Sequence, residues 1–213
     1  MANNKASKFF DAYAFKFNRI YGNENTLLNG LINKYFRKSM KLRFINTLLG
    51  CSPAANMRVL DIGCAPGHIG ITLAKYGAKY VLGLDFSKEM VELAKKNALR
   101  AGVDEKCKYI CSDFLAYDFK DNFDYSIVMG VMDYIEEPAK FIERVLNITK
   151  SRAFFSFPVD GGFLAWQRKV RYKKRCDLYM YKKEQITELF GKMKCKEIKI
   201  EKISRDYFVT VYL

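Results

Sequence analysis

One histidine, one tryptophan and four prolines stand among 213 residues, and no apolar run is long enough to make a membrane helix. A single imidazole leaves little for a metal site. The six cysteines, Cys51, Cys64, Cys107, Cys111, Cys176 and Cys195, are scattered and include no Cys-x-x-Cys pair. Structural zinc needs thiolates and imidazoles at close spacing, so the expectation is no metal and reduced thiols. The opening residues MANNKASKFF lack an apolar stretch before a cleavage site, which predicts a cytoplasmic protein rather than a secreted one. The scarcity of proline, with 50% hydrophobic residues, excludes collagen-like and disordered chains. A chain of this length buries about 70% of its unfolded surface and folds without staples.

Acid is the scarce charge. Asp and Glu number 23 against 37 Lys and Arg, giving a net charge of +14. Such an excess points toward nucleic acid or an anionic membrane surface. Lysine outnumbers arginine, however, whereas bidentate nucleic-acid contacts favour arginine. The densest run, residues 168–175 (RKVRYKKR), reads as a phosphate track, as a contact for an anionic substrate, or as a solvated helix face.

Residues 1–50 form a first block. Residues 7–21 are dense in aromatics at roughly helical spacing, and Gly22 to Asn25 signal a turn. A helix capped by Asn25 or Thr26 carries Leu27, Leu28, Leu31, Ile32, Tyr35 and Phe36, and a further helical stretch with Leu42, Ile45 and Leu48 ends at Gly50. From residue 57 strands alternate with helices. Strands are expected over 57–63, 80–85, 107–112, 123–129 and 152–157, with helices over 68–76, 87–101 and 138–147. This alternation predicts βαβ units and a parallel sheet covered on both faces. The tail predicts a helix over 184–190 and a closing antiparallel hairpin of 195–203 and 206–212.

The segment VLDIGCAPGH (59–68) runs a strand into a glycine loop that opens a helix. In an open parallel sheet this is the carboxyl edge where ligands bind. Gly63 and Gly67 allow close backbone approach. The loop lacks the Gly-x-Gly-x-x-Gly of dinucleotide sites. The carboxylate of Asp61 repels a pyrophosphate and suits an ammonium or sulfonium ligand. Asp85, ending the second strand, stands where a carboxylate accepts from ribose hydroxyls. Asp113 follows the third strand, placed to reach an exocyclic amine of adenine, with Phe114 beside the ring.

These residues resemble the class I S-adenosylmethionine-dependent methyltransferases, with VLDIGCAPG as first motif, GLD as second and SDF as third. The resemblance covers about residues 57–213. It implies a Rossmann-like three-layer α/β/α sandwich with a seven-stranded, mostly parallel sheet in the order 3-2-1-4-5-7-6. The segments FDAYAFKFNRIYG and FRKSMKLRFINTLLG resemble the N-terminal helical lid of magnesium-protoporphyrin O-methyltransferases, and ubiquinone-type O-methyltransferases share the general plan. Residues 1–50 are therefore expected as a lid and 51–213 as the cofactor-binding domain. The implied cofactor contacts are Asp61, Gly63, Cys64, Ala65, Gly67, His68, Asp85, Phe86, Met90, Ser112, Asp113, Phe114 and Met129, with Tyr21 (beside Tyr13 and Phe17) in the lid and Arg43 on the methionyl carboxylate. The donor is S-adenosylmethionine and its product S-adenosylhomocysteine.

In-line methyl transfer needs positioning and, for oxygen or nitrogen acceptors, sometimes a base. The loop after the fourth strand, MGVMDY, offers Asp133 and Tyr134 as base or orienting groups; the alternative is that Asp133 caps a turn and Tyr134 packs on the ligand. His68, at a helix N-terminus whose dipole disfavours the imidazolium, fits a cofactor-loop role better than a base. The Asn/Asp-Pro-Pro-aromatic motif of base-amino methylation and a Pro-Cys nucleophile are absent. The expectation is methyl transfer to a small molecule, at oxygen in preference to nitrogen. An RNA methyltransferase using residues 168–175 and a catalytically silent cofactor-binding subunit stand as alternatives.

Overall fold

The computed structural model describes residues 30–172 and 177–213, with side chains described outside 30–37, 163–164 and 171–172. Five parallel strands build the sheet: β1 (Arg58–Ile62), β2 (Tyr80–Asp85), β3 (Cys107–Cys111), β4 (Phe123–Val128) and β5 (Thr149–Pro158). The hairpin of β6 (Glu197–Ile203) and β7 (Asp206–Tyr212) completes it, with β7 antiparallel to both β5 and β6. The order is β3-β2-β1-β4-β5-β7-β6, as expected.

Because side chains alternate along a strand, each strand feeds two cores. Val59, Val81, Tyr125 and Phe154 face one side. There they meet α1 (Gly30–Gly50), α2 (His68–Lys75) and α3 (Lys88–Arg100) through Leu42, Leu48, Leu73, Val91 and Ala94. Leu60, Leu82, Val128 and Phe155 face the other side, covered by α4 (Pro138–Asn147) and α6 (Lys183–Gly191) through Phe141, Val145, Ile186 and Phe190. Between β5 and α6 lies α5 (Gly162–Tyr172).

Local chemistry sets the element ends. Ser87 caps α3, its Oγ accepting from the Met90 amide at 3.3 Å. Pro138 opens α4, where its missing N–H costs nothing. β5 starts three residues earlier than the sequence pattern suggests. Thr149, polar in a buried position, donates to the Val145 carbonyl at 2.6 Å and shares a bond with Ser126. These partners let it enter the sheet.

The N-terminal block departs from expectation in its helices. The two expected helices are one continuous α1, because Arg37, Lys38 and Ser39 carry no helix breaker. Residues 38–50 also pack into the layer beside α2 and against β5, β6 and β7. The layer therefore includes them. Gly50 is required there, since a Cβ would stand 2.4 Å from the Phe154 ring. The remainder of the expected lid, with Tyr13, Phe17 and Tyr21, lies outside the described residues.

Candidate active site

The carboxyl ends of the five parallel strands share one edge, and the β6–β7 turn returns to that edge because Asp206 pairs with Pro158 and Ile203 with Asp206. β1 delivers the loop Gly63–Gly67 to it. Gly63, Ala65 and Gly67 all have left-handed φ, 69°, 48° and 80°. The two glycines serve packing within the protein. A Cβ on Gly63 would come 2.4 Å from Val131, and one on Gly67 would come 2.7 Å from the Tyr109 hydroxyl.

Asp85 organises the loop. One carboxylate oxygen accepts from the Ala65 amide and the other from the Ser87 amide, both at 2.9 Å. The two amides hold the carboxylate in place at the mouth of the loop. Asp61 is 2% exposed, and its Oδ2 has no hydrogen-bond partner among the described residues. Burial pushes its pKa up to about 7; the Gly70 amide offsets part of this, and the charge of Asp85 adds to it. A buried carboxylate oxygen left without a donor is costly unless a ligand supplies one. Its sign fits a cation.

The other expected contacts divide. Ala65, His68, Phe86, Ser112, Asp113 and Met129 are partly exposed on this edge. Asp113 uses Oδ1 to accept from the Leu115 amide at 2.9 Å, closing a turn, while Ser112 holds the Asp85 carbonyl through its amide. His68 has a lowered pKa, as expected, but through burial. Phe114 is 5% exposed and packs with Phe141 and Phe119 in the opposite core, the chain having turned after β3. Met90 and Cys64 are likewise core residues, and burial raises the Cys64 thiol well above its usual range.

The acceptor side brings a second correction. Asp133, expected as a base, sits in a 3-10 turn, Met132–Tyr134, and is 2% exposed. Its carboxylate is ion-paired with Arg168 of α5. The other guanidinium arm of Arg168 reaches Asp206 at 3.1 Å. Arg43, expected on a ligand carboxylate, instead forks onto Asp206 at 2.6 and 3.0 Å, and Ser39 donates to the same carboxylate. Burial works against the charge of Asp206, yet Arg43 and Arg168 outweigh it and hold the carboxyl below its usual range. The alternating row Asp133–Arg168–Asp206–Arg43 is neutral overall, which is how four buried charges persist. Tyr134 remains half-buried at the edge.

Sequence reasoning missed Asp206 and the inward turn of Arg168. A signal for Asp206 existed: it is an acid opening the apolar strand DYFVTVY. A carboxylate entering a core requires a cation. Arg168 carried no such signal, being one of six basic residues in a run of eight.

Among the described residues no helix is long and apolar enough to cross a membrane, and no three metal-ligand side chains converge.

Residues 53–190 match the family described as methyltransferase domain, well over half the chain, and the chain belongs to that family. A ubiquinone biosynthesis O-methyltransferase of Ralstonia nicotianae is 30% identical over 107 residues, covering 49% of this chain and 44% of that protein. The chain spans about half the length of the curated relatives it matches. The magnesium protoporphyrin IX methyltransferase of Synechocystis PCC 6803, solved with bound SAH, superposes with TM-score 0.78 at 20% identity over 99% of both chains. A phosphoethanolamine-type N-methyltransferase of Haemonchus contortus gives 0.70 at 19% identity, over 95% of this chain and 57% of that one. At these identities the structural likeness is one of fold.

Proposed function

We propose that the chain is an S-adenosylmethionine-dependent methyltransferase acting on a small-molecule acceptor, at oxygen, and releasing S-adenosylhomocysteine. The observation that carries the reading is the pairing of Asp61 and Asp85 across the glycine loop. One is a buried carboxylate oxygen awaiting a cationic donor. The other is a carboxylate fixed by two backbone amides at the end of β2, where ribose hydroxyls are accepted in folds of this kind.

When bound, the cofactor supplies an electrophilic methyl on a sulfonium. Asp85 holds the ribose, Asp61 faces the cationic end, and Asp113 borders the base with Phe86 and Met129 nearby. In this reading the cofactor-binding domain begins within α1 rather than at residue 51. The protein's main contribution is alignment and exclusion of water, worth about 7–11 kcal/mol of barrier in well-oriented systems. With Asp133 committed to Arg168, Tyr134 is the group left to orient the acceptor or take its proton. Oxygen as the acceptor atom is supported by the O-methyltransferase names of the sequence relatives. The inward pairing of Arg168 removes one cation from the run that an RNA track would use.

The test is methyl-labelled S-adenosylmethionine incubated with the protein and an extract of its source cells, the products then split by acid precipitation. Soluble label supports the reading. Precipitable label removed by ribonuclease replaces it with RNA methylation. Tight cofactor binding with no transfer replaces it with a silent binding subunit.

A further inference from the structure

The two sides of α5 carry different chemistry. Ala165 and Arg168, three residues apart, face the body: Ala165 is buried, and Arg168 is held by Asp133 and Asp206. Trp166, Lys169 and Val170, spaced i, i+3 and i+4, share the outer side. Trp166 is 61% exposed and Val170 55%, so a large aromatic and an aliphatic side chain stand in solvent one turn apart. The buried ion pairs of Arg168 fix the rotation of the helix, and with it the direction of this outer face. Its surroundings are basic. From Gly161 to Cys176 the sequence holds six Lys or Arg and no acid. Asp160, just ahead of the helix, is compensated by Lys169 at 2.8 Å. Lys202 of β6 lines the same hollow as Gly161 and Ala165, and both Lys202 and Lys182 are exposed.

We propose that the outer face of α5 docks the protein onto the surface of an anionic lipid bilayer. Tryptophan prefers the headgroup level of a membrane, where its ring is half apolar and half wet. Val170 reaches the acyl boundary beside it, and the flanking cations meet anionic headgroups. The helix lies in the plane of the interface and spans nothing. Trp166 and Val170 alone bury little apolar area, so charge attraction has to add to them, and the contact is reversible and weakened by salt. Nucleic acid fits the face less well. An aliphatic side chain gains nothing from base stacking, and Arg168 is already turned inward. α5 begins just after β5, at the carboxyl edge of the sheet, so docking holds that edge close to the bilayer. Lipid binding needs neither cofactor nor acceptor, and it stands or falls apart from the methyl-transfer reading.

Trp166 is the only tryptophan in the chain, so tryptophan fluorescence reads this face alone. The full chain is titrated with vesicles of phosphatidylcholine containing phosphatidylglycerol and, separately, with vesicles of phosphatidylcholine only. The expected result is a saturable blue shift with the anionic vesicles and protection of the indole from acrylamide. Neutral vesicles should bind at least about tenfold more weakly. Val170→Glu and Lys169→Glu should each weaken binding to the anionic vesicles at least about tenfold. Both residues are exposed, so the variants fold, and unchanged melting curves check this. Emission that the anionic vesicles leave unmoved overturns the proposal, and that result needs no variant. Equal affinity for the two kinds of vesicle, or folded variants that bind like wild type, overturns it too. Single-stranded RNA that quenches Trp166 and displaces the vesicles overturns it as well, and makes the face a nucleic-acid track.

Discussion

Arg168 and Asp133 form an ion pair closed off from solvent, with side-chain exposures of 11% and 2%. They come from different elements, α5 and the turn after β4, and their meeting fixes one against the other. Removing a single partner strands the other charge, which typically costs about 3–5 kcal/mol. Arg168→Gln and Asp133→Asn should each lower stability to urea substantially. The double variant should lose less than the sum of the two. Strict additivity in this cycle would show that the pair is not coupled.

In the proposed reading, Asp61 links cofactor binding to pH. Its folded-state pKa is raised to about 7, chiefly by burial. The ligand-free protein therefore gains stability from the neutral acid below pH about 4, its unfolded value. That contribution is lost as pH rises toward 7. A cationic ligand favours the carboxylate and reverses the trend. Binding of S-adenosylhomocysteine, through its ammonium group, should release close to one proton at pH 6 and fewer at pH 8. Calorimetry in two buffers of different ionisation enthalpy measures this, and binding without proton release at pH 6 would contradict the assignment.

Asp85→Ala removes the loop's anchor at Ala65 and, in the proposed reading, the acceptor for the ribose hydroxyls. Hydrogen bonds to charged groups contribute about 1.5–3 kcal/mol each. S-adenosylhomocysteine affinity should fall at least about 100-fold, with adenine alone much less affected. Comparable losses for both ligands would place Asp85 in the scaffold only.

Gly63→Ala tests the loop itself. The residue sits at φ 69°, and its new methyl would meet Val131 at 2.4 Å. Strain of about 1–3 kcal/mol is expected. Val131→Ala in the same chain should recover the steric part and leave the conformational part. Melting temperatures of the three variants separate the two, and no recovery would mean the φ angle carries the whole effect.

The strand–helix rhythm was legible because each element is a local pattern. β2 and β7 begin and end where alternation and turn residues put them. The placement of Asp61 and Asp85 was legible for the same reason, each standing at or beside the carboxyl end of a strand, Asp61 just before the glycine loop. Arg43, Phe114 and Asp133 were not. Phe114 is one residue from Asp113, yet it faces the other core, and only the exit angle of the chain after β3 decides that. Arg43 and Asp133 have their partners fixed by contacts 163 and 35 residues away, which no local window contains.

The fork of Arg43 on Asp206 also has a meaning for biosynthesis. Arg43 leaves the ribosome 163 residues ahead of its partner. At about 5–20 residues per second that is a wait of roughly 8–30 s. During that wait Arg43 lacks its Asp206 partner, so the seating of α1, with the cover it gives Leu42 and Leu48, is expected to complete only once β7 emerges.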